Sequence, residues 1–290
     1  MDATLKLRNN DRLEWLYAII KTRQSVCSGT IDKLRVVIDG NLQKCDMHPE
    51  HITSLACLIE CCSRHKCPVQ VNASDEIRKF LEAELDLTKY WNQNESYVAS
   101  SNTDILNLWK IKEDEMDAHA LRVGDYFRST RFKHKDLSPI SGSLTEAYYN
   151  VIDHSNCEGN AFSFVEYDRN EERINVAVCD FGRGIPNSVR TVLPELNDAD
   201  AIRKALEPTF TINSTHHNAG LGLSNLRGYC TSDDDLWIIS NGVALVVGAD
   251  SERVVPLKEI FYGTLLLYSI SLAHLYDEEI DEATIMDLNF

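Results

Sequence analysis

Three short stretches hold residue types whose spacing could do chemistry. Leu144 to Ser155 reads Leu-Thr-Glu-Ala-Tyr-Tyr-Asn-Val-Ile-Asp-His-Ser. Glu146, Asn150 and Asp153 follow one another by four and three residues, so on a helix they project from one face. A carboxylate, an amide and a second carboxylate on one face are candidates for catalysis, although an ordinary surface helix also scatters polar residues this way. Val178 to Pro186 reads Val-Cys-Asp-Phe-Gly-Arg-Gly-Ile-Pro. It places Asp180 at the end of an apolar strand, where a carboxylate can accept hydrogen bonds from an amine or amide. Gly182 and Gly184 let a flat ligand or a backbone come close, and a tight glycine-proline turn explains the same residues. Asn218 to Asn225 reads Asn-Ala-Gly-Leu-Gly-Leu-Ser-Asn and leads into a helix. Free N–H groups at such a helix start suit phosphate oxygens.

The surrounding elements must position these residues. Residues 143–154 are predicted as a helix capped by Ser143, with Ala147, Val151 and Ile152 on its packing side. Ile174 to Cys179 is a strand. The polar stretch 187–219 between the second and third segments has the length of a functional lid. Upstream, residues 113–131 carry Met116, Ala120, Val123 and Phe127 at helical spacing, Leu106 to Trp109 reads as an edge strand, and Lys133 to Gly142 as a loop. Residues 92–104 are polar and read as a linker.

The first 95 residues alternate differently. A helix over 11–22 is capped by Asp11, and the valine-rich run Leu34–Ile38 is a buried strand ending at Asp39-Gly40. Pro49 opens a helix to about His65, Val69–Val71 is a strand, and Ser74 or Asp75 caps a further helix. Strand, helix, strand, helix makes a small α/β unit over residues 1–95 that resembles STAS-like regulatory modules in element order and size.

The chain has 290 residues and a formal net charge of −16. That field works against a general nucleic-acid binder. There is no apolar run of membrane-spanning length and no secretory signal at the start, so the expectation is a cytoplasmic protein. Nine cysteines, an odd number, argue for reduced thiols. Cys57, Cys61, Cys62, His65 and Cys67 cluster, yet no Cys-x-x-Cys pair is present, and burial as small apolar side chains explains Cys57 and Cys61. Arg122, Arg128, Arg131, Lys133 and Lys135 form a local basic cluster that reads as a solvated or docking face.

In order and spacing, the three stretches resemble the N box and the two glycine boxes of the GHKL superfamily. That superfamily contains gyrase-type and MutL-type ATPases, Hsp90, histidine kinases and the anti-sigma serine kinases. Gly263-Thr264, leading into Leu265-Leu266-Leu267, fits a fourth piece, and Glu207 to Thr215 is similar to the segment before the second glycine box in histidine kinases. The resemblance spans residues 105–272. It implies the α+β class: a GHKL (Bergerat) α/β sandwich whose mixed sheet is covered on one face by helices, preceded by the small α/β domain and followed by an acidic tail, 273–290.

The resemblance also implies ATP and Mg²⁺ as ligands. Glu146 would be the general base and Asn150 the Mg²⁺ ligand, with Asp153 orienting water or nucleotide. Asp180 would accept from the adenine amine, Gly182 and Gly184 would make room for the base, and Thr264 would support Asp180. Gly220, Gly222 and Leu223 would meet the phosphates, and Ile185 and Leu221 belong to the same binding set. Val151 departs from the small residue that often follows the family's asparagine. The γ-phosphate lysine of the larger members has no counterpart near the end of the sequence, and no phosphoacceptor-histidine pattern precedes the ATP segments. Three functions stay open: an ATP-hydrolysing regulatory switch, a serine/threonine kinase of the anti-sigma type, and a non-hydrolysing ATP-binding scaffold. Each would meet a protein partner through the N-terminal unit, and a homodimer is a further expectation from the resemblance.

Overall fold

A computed structural model describes residues 1–91, 100, 102–208, 210, 222–229, 236–248 and 250–277. β1 (Asp2–Leu7), β2 (Lys33–Ile38) and β3 (Val69–Asn72) form a parallel sheet in that order. Parallel neighbours require crossovers, and α1 (Arg12–Cys27) and α2 (Pro49–Arg64) supply them. Asp11 caps α1 as expected, its carboxylate accepting the Glu14 N–H at 2.8 Å. Pro49 opens α2 at a position where its missing N–H loses no helical bond. Ser74 caps α3 (Asp75–Lys79), which continues as a π-helical turn, Phe80–Glu84. β1 is absent from the predicted elements because Leu5 and Leu7 are its only buried residues, too short an alternation to stand out.

The second sheet contains β4 (Ile105–Lys110), β5 (Ala161–Asp168), β6 (Arg173–Asp180), β7 (Leu236–Val247) and β8 (Glu252–Ser271), in the order β4-β5-β6-β8-β7. β4 is an edge, as expected. The expected mixed sheet is corrected: every pairing described in this sheet is antiparallel. The reason is local, since β5–β6 and β7–β8 are each consecutive in the chain and fold back on one another.

The helices within residues 105–272 lie on one face of this sheet, and those of the N-terminal unit cover the other. One face packs under α4 (Met116–Thr130), α5 (Ser138–Asn150), α7 (Asp198–Ala205) and α8 (Gly222–Tyr229) through Val176, Val178, Leu266 and Tyr268. The other face, through Phe162, Phe164, Ala177, Cys179, Leu265 and Leu267, shares one core with α1, α2 and the parallel sheet. The layers therefore run sheet, helices, sheet, helices. α2 lies between the two sheets, and every residue from Pro49 to Cys62 is buried.

Two predicted boundaries shift around the site. α5 begins at Ser138-Pro139, five residues before the expected cap, and takes in the end of the expected 133–142 loop. Ser143 is inside the helix and buried. Its hydroxyl donates to the Ile140 carbonyl at 2.8 Å and accepts from Tyr268 at 3.0 Å. The described part of the expected lid contains the end of α6 (Ile185–Val189) and all of α7, with Ala201 and Ile202 in the core. Residues 92–99 of the expected linker, 211–221 and the tail from 278 lie outside the described residues.

Candidate functional site

The site grows from the end of α5. After Asn150 the helix widens into a π-helical turn, Val151–Ser155, which ends at Asn156 in the left-handed region. Such single wide turns are frequent at functional sites. Here it turns the Ser155 carbonyl toward the glycine segment, where it accepts the Arg183 N–H at 2.7 Å. A Cβ on Gly182 would stand 2.1 Å from that same oxygen, so the close approach that demands glycine is made by the protein's own backbone. Gly184, at φ +80°, precedes α6 in a conformation side chains resist, and a Cβ there would meet the Ser240 hydroxyl at 2.6 Å.

Asp180 is the last residue of β6 and faces Thr264 across the β6–β8 register. It is 2 % exposed, and its Oδ1 accepts the Gly182 N–H at 2.8 Å. Burial pushes its carboxyl up to about 7, against the opposing pull of the Gly182 N–H, the Arg23 guanidinium and the Thr264 backbone and hydroxyl. Asn150, Val151, Ser155, Asp180, Gly184, Ile185 and Thr264 line one recess with Val178 and Leu266. Five of the expected binding residues are thus brought together.

Glu146 approaches from one turn earlier on α5. Its Oε1 accepts the Asn225 amide of α8 at 3.1 Å, while its buried Oε2 has no partner among the described residues. Asn150 donates an N–H back to the Glu146 carbonyl at 2.8 Å. Asp153 sits in the π-helical turn, half-buried. Of the third stretch, Gly222 starts α8 and Leu223 is buried in the core; Gly220 and Leu221 lie outside the described residues.

The recess has a cavity volume of about 10 Å³, room for about one water. Its polar lining includes the buried Asp180 carboxyl with the Thr264 hydroxyl beside it and the Asn150 amide, and the Glu146 carboxylate with its orphaned oxygen lies one helical turn from Asn150. A purine reaching Asp180 would have to displace Val151 or Ile185, so the departure at Val151 has a physical consequence.

Sequence reasoning missed the residues that hold the site from behind. Arg23 on α1 donates to the Phe181 carbonyl at 3.0 Å and to the Tyr262 carbonyl, and its guanidinium lies 4.2 Å over the Phe181 ring. It thereby grips both strands that carry Asp180 and Thr264. Asn187 and Asn241 exchange amide hydrogen bonds at 3.2 and 3.0 Å, and Asp198 accepts the Gly242 N–H at 3.0 Å and pairs with Arg190. This network fixes the segment after the first glycine stretch to β7. Nothing in the local pattern around Arg23, on a solvent-like stretch of an N-terminal helix, marks these long-range contacts.

No protein-family model matches the chain, and no curated protein matches it. Among solved structures, a topoisomerase IV ATP-binding domain of Francisella tularensis, in complex with a small-molecule inhibitor, matches at 13% identity and a TM-score of 0.26. The match covers 43% of this chain and 34% of that one. A likeness at that level carries no argument about this chain. Among the described residues no helix is long and apolar enough to cross a membrane.

Proposed function

We propose that the chain binds ATP with Mg²⁺ in the recess between α5 and the β6–β8 strand ends, and hydrolyses it as a nucleotide-driven regulatory switch of the GHKL type. The observation that carries this reading is the convergence of Asn150, Asp180 and Thr264 on one recess, with the unpartnered Glu146 oxygen one helical turn away. Asp180 would take the adenine amine, supported by Thr264. Asn150 would hold Mg²⁺, which when bound neutralises charge on the phosphates. Glu146 would take a proton from the attacking water, and Asn225 orients its carboxylate for that task. Asp153, Gly182, Gly184, Ile185, Gly220, Leu221, Gly222 and Leu223 complete the proposed binding set.

The output of the switch would pass through Arg23, since α1 bonds the backbone beside Asp180 and Thr264, where adenine would sit. A partner would read the outward side of the N-terminal unit, because its helices already face the second sheet. Incubation with γ-labelled ATP and Mg²⁺ tests the reading. Free labelled phosphate is expected, and Glu146→Ala should retain ATP binding while losing turnover by at least about 100-fold. Unchanged turnover in that variant removes the general-base role. Label moved onto a second protein instead of water would assign the chain to the serine/threonine kinases, and tight ATP binding with neither product would make it a scaffold.

A further inference from the structure

Away from the recess, the last turns of α1 and α2 bring three metal-ligating side chains together. Cys27 ends α1, Cys61 lies one turn before the end of α2, and His65 follows that helix directly. The Cys27 and Cys61 sulfurs are 3.7 Å apart, and His65 Nδ1 is 3.8 Å from the Cys61 sulfur. One ligand atom from each of the three lies within 4.8 Å of the others. Cys61 and His65 are four apart on one helix face, and Cys27 reaches them only because α1 packs on α2.

The two separations from the Cys61 sulfur match a coordination geometry. Two thiolates at about 2.3 Å from a tetrahedral zinc stand about 3.8 Å apart, and a thiolate and an imidazole nitrogen about 3.6 Å apart. The observed distances differ from those by only about 0.2 Å. His65 Nδ1 donates to the Cys61 carbonyl at 2.9 Å, so ligation through Nδ1 would exchange that hydrogen bond for the metal. Cys27 and His65 are exposed and Cys61 is buried, so the cluster has a closed floor and an open side toward solvent. Three protein ligands and a solvent position form an open tetrahedral set.

We propose that Cys27, Cys61 and His65 bind a thiophilic divalent cation, Zn²⁺ in the first instance, with water in the fourth position. Binding replaces the two thiol protons by two metal–sulfur bonds and releases those protons to solvent, with no change of oxidation state. The ion would clip the ends of α1 and α2 together one helical turn from Arg23. This inference does not depend on the nucleotide reading, and its test contains no nucleotide.

The test uses the full chain, reduced, with the exposed Cys45 replaced by serine as the parent. Zn²⁺ is titrated in competition with a chromophoric chelator, and Co²⁺ is added as a spectroscopic probe. The parent is expected to take one equivalent of Zn²⁺ and to show a thiolate-to-cobalt charge-transfer band. Loss of an outer-shell partner alone costs 10- to 100-fold in metal affinity, so C27S and H65A should each weaken binding by at least about 100-fold. Both positions are exposed, and the melting of the metal-free variants should stay within a few degrees of the parent. Equal Zn²⁺ affinity in the parent, C27S and H65A overturns the proposal, as does a cobalt spectrum without the thiolate band. Retention of full affinity in H65A alone overturns the three-ligand set.

Discussion

The two faces of the five-stranded sheet have different tasks and nearly the same chemistry. Toward α5 the sheet offers Val176, Val178, Leu266 and Tyr268; toward α2 it offers Ala177, Cys179, Leu265 and Leu267. β6 and β8 are therefore apolar at both parities, the mark of a strand buried on both sides. Toward α5 the helices end in polar side chains aimed at a recess. Toward α2, Arg23 grips Phe181 and Tyr262 at the same strand ends. On the proposed reading, one face would change with a ligand and the other would hold the first in register.

If both faces are needed for one core, removing the N-terminal unit has the largest effect. A chain beginning at residue 100 would expose Phe162, Phe164, Leu265 and Leu267 together, and is expected to be insoluble or aggregated. A soluble monomer with a cooperative melt would break the comparison. Next come matched truncations, Leu55→Ala on the α2 side and Leu144→Ala on the α5 side, both 0% exposed. Each should cost about 2–5 kcal/mol in denaturant unfolding and leave a single transition. Two separate transitions in either variant would mean that the faces unfold independently.

A smaller effect sharpens the link between faces. Arg23→Ala removes hydrogen bonds from a charged donor, worth roughly 1.5–3 kcal/mol each in mutational series, but leaves every recess side chain in place. ATP affinity, measured calorimetrically, should fall by about tenfold. Unchanged affinity would confine Arg23 to packing.

The smallest effect is a pH slope. The Asp180 carboxyl, raised by burial to about 7, is protonated in the folded chain over a range where the unfolded chain has lost its proton. Its contribution to stability is full below its unfolded value of about 4 and is lost as pH rises through 7. Glu166, raised to about 8 by burial and then by Glu50, acts with the same sign. The ligand-free chain should lose stability from these two groups as pH rises toward 8, and Asp180→Asn should remove the Asp180 share. Parallel melting-temperature profiles for the two proteins would exclude that share. Adenine contact needs the ionised carboxylate, so ATP affinity should rise with pH through about 7 and vary less in the Asn variant.

Much of this was legible in the residues. Asp11, Pro49 and Ser74 each open a helix at the position their chemistry favours, and Asn150 lines the recess one helical turn after Glu146. The two-sided burial was also written in Leu265-Leu266-Leu267, where three consecutive apolar residues leave no face for water. What was not legible depends on contacts far apart in sequence. The π-helical turn that aims Ser155 at Gly182 has no local signature, and Gly182 suggested a ligand's approach where the backbone oxygen of Ser155 already fills the space. Cys27 stands outside the cysteine cluster of α2 in the sequence and joins it only through helix packing.

The burial of α2 has a consequence for how the molecule opens. A helix walled by a sheet on either side, with fourteen consecutive buried residues, has no edge from which to fray except its ends. Its central amides, from about Leu55 to Ile59, should exchange with deuterated solvent only when the whole chain unfolds, whereas the turn at Val151–Ser155 should exchange through smaller openings. The slowest clock in the protein would then tick in the N-terminal unit, far ahead in sequence of the recess it packs behind.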